Sequence, residues 1–255
     1  GDLPSYQFKE RKRPHSAAAR LASDRIARFM MLRIPALLSS ADVLMCRETL
    51  DRAAWQDGRA TAGHQSAQVK SNLQLPLDSP VAARLGSLVL DRLGQCPLFI
   101  AAALPLRVLP PRFNRYEGGG TYGNHIDNAL FRVPGGDAYV RTDISCTLFL
   151  NEPDDYEGGE LVINDSYGDH RVKLPAGDMV IYPGNSHHRV TPVTKGVRLA
   201  SFFWTQSLVP SEVQRRTLFE LDSAIQQLTA DHPGHASIDP LTGVYHNLLR
   251  QWSVT

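Results

Sequence analysis

A chain of 255 residues with 42% hydrophobic residues, 21% charged residues and a formal charge of +1 can bury one good-sized core, which excludes wholesale disorder. Its longest apolar run, "FIAAALPL", is far too short to span a bilayer, so the composition is that of a soluble protein without a membrane partner. Charge is uneven: residues 1–29 hold seven Lys/Arg against three Asp/Glu, which leaves 20 against 23 elsewhere and gives the body no electrostatic footprint for nucleic acid.

In chain order, the basic stretch "KERKRPHSAAAR" reads as a solvated leader over residues 1–29, disordered or left over from expression. A domain is expected from Met30, which would then be the natural initiator. "SADVLMCRETLDRAAW" has a polar cap and helix-spaced apolars at Val43, Leu50 and Ala54. Residues 68–77 read as extended. "LDSPVAARLGSLVLDRLGQ" predicts a second helix, capped by Asp78 or Ser79, with Pro80 in its first turn and a stripe of Val81, Leu85, Leu88 and Val89. Cys46, Cys96 and Cys146 lack CxxC spacing, which argues against a disulfide framework and for a reducing, cytoplasmic setting.

From "LPLRVLPPRFNRY" onward the chain turns β-branched and aromatic. "RTDISCTLFL", "GGELVIN", "HRVKLP", "GDMVIYPG", "HHRVTPV" and "GVRLASFFW" are separated by turn signals such as "NDSYGD" and "TKG". With two segments before His125 this makes roughly eight short strands, a sandwich or barrel with the double-sheet jelly roll as one standard solution. Beyond Trp204, "SEVQRRTLFELDSAIQQL" opens on a capping-box pair, Ser211 and Gln214, and puts Leu218, Leu221, Ile225 and Leu228 on one face. "DPLTGVYHNLLRQW" predicts a last helix. The expected organisation is a leader over 1–29, a mainly β domain with N-terminal helices over 30–207, its catalytic core about 107–207, and a helical region over 208–255.

The chemistry concentrates in "NRYEGGGTYGNHIDNALF". On a strand, His125 and Asp127 point to one face because side chains alternate with period two. The pair is two-thirds of a facial metal site. Of the nine histidines, His15, His64, His232 and His235 read as surface residues, His246 as a helix-face residue and His170 as part of a turn. That leaves "GNSHHRVTPVTKGVRLASFFW". Adjacent strand residues face opposite ways, so only one of His187 and His188 can face a metal. His188 is the inward one if Val190 faces the core, and spacing alone leaves that open. Two histidines and a carboxylate leave three coordination positions free, an arrangement suited to non-haem Fe(II) with a chelating cosubstrate and O₂. Arg198, ten residues past His188, returns along the next strand, where a guanidinium can pair bidentately with the far carboxylate of a keto-diacid.

"NRYEGGGTYGNHID", "TLFLNEPDDYEGGELVI", "GDMVIYPGNSHHRVTPVTKGVRLASFFW" and the helical C-terminus resemble the 2-oxoglutarate- and Fe(II)-dependent dioxygenases of the prolyl 4-hydroxylase type, and within them the bacterial PKHD-type hydroxylases. The likeness covers roughly residues 31 to 255. It implies a double-stranded β-helix (jelly roll) core flanked by helices. It implies His125, Asp127 and His188 as iron ligands, His188 because the family's histidine precedes Arg-Val-Thr-Pro-Val. Arg198 would bind the 2-oxoglutarate C5 carboxylate, and Tyr116, nine residues before the first ligand, would assist the cosubstrate, with Tyr122 the second candidate. The implied reaction is hydroxylation of an amino-acid side chain or small metabolite with release of succinate and CO₂, supported by ascorbate. The resemblance also suggests a link to bacterial iron uptake. Related halogenases lack the carboxylate, so Asp127 favours hydroxylation.

Two other readings fit the residues alone: an iron/2-oxoglutarate sensor that produces no succinate, and a redox-neutral, cupin-like metal protein. The C-terminal helices would cover the barrel or form a homodimer contact. Residues 118–120, all glycine, read either as a close backbone approach to a ligand or as a mobile lid, and "YEGGELVI" as a tight turn into a core strand. Asn128, Arg132 and Arg141 are expected to be solvated loop residues, and Phe202 and Trp204 to be core.

Overall fold

The computed structural model describes residues 31–61, 68–133 and 137–254. The basic leader, with His15, and His64 lie outside the described residues. The N-terminal elements are β1 (Leu32–Ile34), α1 (Ser40–Asp51), the two-residue strands β2 (Gln56–Asp57), β3 (Lys70–Ser71) and β4 (Leu73–Gln74), then α2 (Pro80–Gly94) and α3 (Pro97–Ala103). The β core follows: β5 (Pro105–Val108), β6 (Arg112–Tyr116), β7 (Thr121–His125), β8 (Leu130–Arg132), β9 (Tyr139–Arg141), β10 (Ile144–Phe149), β11 (Tyr156–Gly158) and β12 (Leu161–Asp165). It continues with β13 (Gly168–Val172), β14 (Met179–Pro183), β15 (His187–Val190), β16 (Val193–Gly196) and β17 (Arg198–Ser207), and the chain closes with α4 (Glu212–Asp231) and α5 (Ile238–Trp252).

Helix starts follow their cap chemistry. Ser39 and Asp42 form a full capping box at α1, and Ser79 accepts from the Ala82 amide with Pro80 in the first turn of α2. Helix α1 stops at Asp51, so Ala54 lies beyond it, contrary to the periodic reading. At α4 only half of the expected box forms: Ser211 Oγ accepts from the Gln214 amide. Helix α3 has no counterpart in the sequence reading. Five of its seven residues fall in the longest apolar run, and it is capped by Leu104, whose φ of +44° is left-handed. Pro105 then cannot continue a helix and begins β5.

Two antiparallel sheets face each other. The larger runs β1-β14-β10-β17-β6-β4-β2, with β5 also on β17; the smaller runs β13-β12-β15-β7-β3. This is the expected jelly roll, and the strand alternation explains its two sides. From β10, Ile144, Cys146 and Leu148 join Leu199, Phe203, Met179 and Ile181 in a core shared with Leu50, Leu85, Val89 and Leu93 of α1 and α2. Each such fully buried side chain contributes about 1.5–3 kcal/mol. The alternate positions, among them Ser145, Thr147, Tyr182, Asn114, Tyr116 and Arg198, face the smaller sheet and line a cavity. Most polar residues of these strands thus lie on the cavity face, although Ser201 and Thr205 are buried on the core face beside Leu199 and Phe203.

The C-terminal helices pack on Leu104 and Val209 through Leu218, Ile225 and Tyr245. Arg215, 1% exposed, donates to the Val209 and Pro210 carbonyls and fixes α4 to the end of β17. Cys46, Cys96 and Cys146 are free thiols. No single helix among the described residues is long and apolar enough to cross a membrane.

Candidate metal centre

Strands β7 and β15 are neighbours, and their register sets His125 directly opposite His188. Asp127 follows two residues after β7 ends. Its Oδ1 lies 3.9 Å from His125 Nε2 and 3.8 Å from His188 Nε2. One ligand atom from each of the three lies within 4.8 Å of the others. Both imidazoles are set in the metal-ready tautomer. His125 Nδ1 sits 2.7 Å from the Gly123 carbonyl and His188 Nδ1 3.0 Å from the Ser186 carbonyl. A carbonyl only accepts, so Nδ1 carries the proton in each ring and Nε2 keeps its lone pair. Burial, reinforced by His188, pulls the His125 pKa down to about 4, so its ring is neutral at neutral pH.

The larger sheet completes the carboxylate's setting. Ser145 Oγ donates to Asp127 Oδ2 at 2.6 Å, which leaves Oδ1 toward the histidines. Tyr122 stacks on His125 with ring centres 3.7 Å apart, and Tyr182 meets His188 edge-on at 5.2 Å. The choice between the paired histidines is resolved by packing: His188 is buried on the face it shares with Val190, while His187 is exposed.

Arg198 opens β17 on the inner face, paired with Tyr116 of β6. It is 1% exposed, and its guanidinium carbon lies 5.3 Å from the ring centres of both Tyr116 and Phe149. Its Nε and Nη1 have no hydrogen-bond partner. A buried cation with orphaned donors is costly unless an anion completes it, so Arg198 fits the carboxylate end of a bound keto-diacid. The seat depends on Gly159: a Cβ there would come within 2.8 Å of Val193 Cγ2, 2.9 Å of Tyr156 Cε2 and 3.0 Å of Arg198 Cδ. "YEGGELVI" is therefore a turn that also makes room for the arginine. Burial raises the Tyr116 phenol to about 12, which keeps it protonated and able to donate.

Other candidates fall elsewhere. Arg141 pairs with Asp143 and Arg132 with Asp137, His170 pairs with Asp165, and His232, His235 and His246 are exposed. Asn128 lines the cavity, and so do Phe202 and Trp204, which the sequence reading took simply as core. Residues 118–120 form a tight turn whose Gly118 and Gly119 have φ of +56° and +89°. The Gly119 amide donates to the Val193 carbonyl and the Val193 amide to Gly120, so this turn is stitched to β16 rather than standing over the cavity. Ser145, Lys70, Arg112 and Asn114 also line the cavity and were missed. A signal existed for Ser145: with Thr147 it breaks the apolar run of "ISCTLF" at alternate positions, the mark of a strand facing something polar.

Comparison with known proteins defines the class first. Residues 111–206 match the 2OG-Fe(II) oxygenase superfamily, and residues 213–253 match the PKHD-type hydroxylase C-terminal domain. Two solved structures share the fold. One is a Pseudomonas putida prolyl-4-hydroxylase, with TM-score 0.50, 18% identity, and 74% of this chain and 98% of that chain covered. The other is a 2OG-Fe(II) oxygenase family oxidoreductase from Burkholderia pseudomallei, with TM-score 0.56, 12% identity, and 79% and 94% covered. At those identities the likeness is one of fold. The curated relatives go further. This chain is 63% identical over 224 residues to a PKHD-type hydroxylase of Delftia acidovorans, covering 88% of this chain and 99% of that protein. It is 62% identical over 226 residues to another from Parvibaculum lavamentivorans, covering 89% and 100%. The chain belongs to the PKHD-type hydroxylases, 2-oxoglutarate-dependent enzymes of the iron(II) oxygenase class, and its His/Asp/His cluster has the donor set that such an iron requires.

Proposed function

We propose that the enzyme hydroxylates an amino-acid side chain or a small metabolite at an unactivated C–H bond, converting 2-oxoglutarate to succinate and CO₂. The observation that carries this reading is the convergence of two bare Nε2 atoms on one carboxylate oxygen, each 3.8–3.9 Å from it, in the cavity that Arg198 lines. His125, Asp127 and His188 would hold Fe(II) on one face. When bound, the iron and the keto acid would supply the electrons that activate O₂, the oxidant, for C–H hydroxylation.

The chain's own residues set the geometry. The Gly123 and Ser186 carbonyls lock the imidazole tautomers, and Ser145 orients the carboxylate. Arg198 would take the C5 carboxylate in a charge-assisted pair, and the Tyr116 hydroxyl would donate to the same cosubstrate. Asp127 would fill the position that related halogenases leave to a halide, which favours hydroxylation. Ascorbate is assigned as supporting reductant, and the reading extends to a role in bacterial iron uptake, both on the family resemblance.

The test is oxygen consumption and succinate formation by the purified iron-loaded enzyme against a cell metabolite extract. Expected are 2-oxoglutarate-dependent succinate and an extract component heavier by one oxygen atom. Succinate no higher than in a metal-free control would make the protein a sensor, and turnover indifferent to 2-oxoglutarate would make it a redox-neutral metal protein.

A further inference from the structure

Assigning Arg198 to the keto acid uses one end of the inner face of the larger sheet and leaves the other end without a role. Arg112 and Tyr116 both point inward from β6, four residues and so about 13 Å apart along the strand. Tyr116 is paired with Arg198, and Arg112 with Phe202. The cavity therefore has a cation at each end. The Arg112 guanidinium carbon lies 5.1 Å from the ring centres of both Phe131 and Trp204.

Lys70 reaches the same region from β3 and is 6% exposed. Its Nζ lies 5.2 Å from the ring centre of Tyr122 and 5.9 Å from that of Phe202, and donates to Gln74 Oε1 at 3.1 Å. Burial, then the charge of Arg112, brings the lysine pKa down to about 8, so the two cations are close enough to repel. Among the described residues lining the cavity, Asp127 is the sole acid, and its oxygens are turned to the histidines and Ser145. The aromatic faces offset part of the cost of two neighbouring buried cations. The carboxylates of Asp57 and Asp127 also favour the charged lysine, and a further anion between the two cations would be stabilised by both. Paired cations on dry aromatic walls are suited to an oxyanion, which accepts from a guanidinium fork and an ammonium together.

Resting on the assignment of Arg198 to 2-oxoglutarate, we propose that Lys70 and Arg112 form the anion seat for the hydroxylation substrate, a small molecule carrying a carboxylate or phosphate, with its body against Phe131, Phe202 and Trp204. The Tyr122 ring stands between this seat and His125, 5.2 Å from the ammonium and 3.7 Å from the imidazole. The C–H bond offered to the metal then lies only a few bonds from the anionic group.

The test uses the full chain loaded with Mn(II) and saturating 2-oxoglutarate, so that Arg198 is occupied and no turnover occurs. Benzoate, phenyl phosphate, benzamide and benzyl alcohol are titrated by calorimetry. Expected is binding of one or both anions and at least tenfold weaker binding of the neutral pair. Arg112→Met and Lys70→Met should each weaken anion binding at least tenfold, and Arg112→Lys should restore part of it. Tighter benzoate names a carboxylate substrate, tighter phenyl phosphate a phosphate one, and either supports the seat. Equal affinity for benzamide and benzoate, or folded Met variants with unchanged anion affinity, would overturn it. So would anion binding that disappears once 2-oxoglutarate is added. If a Met variant does not fold, the wild-type comparison of charged and neutral probes decides alone. A separate titration of 2-oxoglutarate into the Mn(II) protein reads the Arg198 assignment, so failure there is distinguishable from failure of the seat.

Discussion

Ser145, on the larger sheet, donates a 2.6 Å hydrogen bond to Oδ2 of Asp127, a residue in the loop that follows β7 of the smaller one. The bond ties the two sheets together at the candidate metal centre. It also decides which carboxylate oxygen faces His125 and His188. Ser145 is 2% exposed, so no solvent competes for the contact. Removing such an outer partner typically lowers metal affinity about 10–100-fold. Ser145→Ala should therefore bind Fe(II) or Mn(II) that much more weakly in anaerobic calorimetry, with its metal-free melting temperature within a few degrees of wild type. Unchanged metal affinity would mean that Asp127 is oriented by its own loop.

Arg198 and Gly159 make a linked prediction. Truncating one partner of a buried charge pair costs about 2 kcal/mol or more, so Arg198→Gln should raise the 2-oxoglutarate Kd at least about 30-fold. Arg198→Lys keeps the charge but loses the fork, and should fall between the two. Gly159→Ala changes neither charge nor donor. Its Cβ would still press on Arg198 Cδ at 3.0 Å, at a position whose φ is +62°. The left-handed conformation adds about 1–2 kcal/mol of strain for a non-glycine residue. The expected result is weaker 2-oxoglutarate binding with Mn(II) binding unchanged. A loss confined to the metal would place Gly159 outside the cosubstrate's support.

Much of this was legible in the sequence, for identifiable reasons. Period-two alternation in "ISCTLFL" and "GVRLASFFW" carries the strands and their inner face, and cap chemistry at Ser79 and Pro80 carries α2. His-x-Asp is legible because a strand puts both side chains on one side whatever surrounds it. The pairing of His188 with His125 was less so, since register between segments so distant in sequence is a tertiary fact. It was the resemblance that singled out His188. What escaped notice depends on three-dimensional neighbours. Lys70 sits in a two-residue strand that has no periodicity to read. Arg112 looks like a solvated strand end until Phe131 and Trp204 fold over it. Helix α3 was hidden because a short apolar run followed by proline is as compatible with a strand as with two turns of helix.

The adjacent histidines give a direct check on register. His188 is buried beside Val190, and His187 points to solvent from the same strand. His188→Ala removes one of three metal donors and should abolish stoichiometric Fe(II) binding and turnover. His187→Ala should retain both within about twofold, since surface substitutions away from special features usually stay within about 0.5 kcal/mol. Metal content by atomic absorption after dialysis, measured on both variants, distinguishes them. If His187→Ala lost the metal, strand β15 would have to be shifted by one residue, which would turn every one of its side chains to the opposite face.

The last prediction concerns the helical layer behind the larger sheet. Asp42 accepts from Arg92 Nε and Nη2 at 3.0 Å each, joining α1 to α2, and also takes the Ser39 hydroxyl and amide of its own capping box. The Arg92 hydrogen bonds lead in pulling its pKa from 3.8 down to about 2. A depressed carboxylate contributes stability that is fully present above its unfolded pKa, about 3.9, and is lost as pH falls through the folded value. The arginine is 39% exposed along its side chain, so the contribution is less than about 1 kcal/mol. Asp42→Asn should thus melt below wild type at pH 6 by no more than about 2–4 °C, and the gap should close as the pH drops from about 4 toward 2. A gap that stayed constant across that window would show the residue acting through the shape of its side chain in the helix cap, with its charge playing no part.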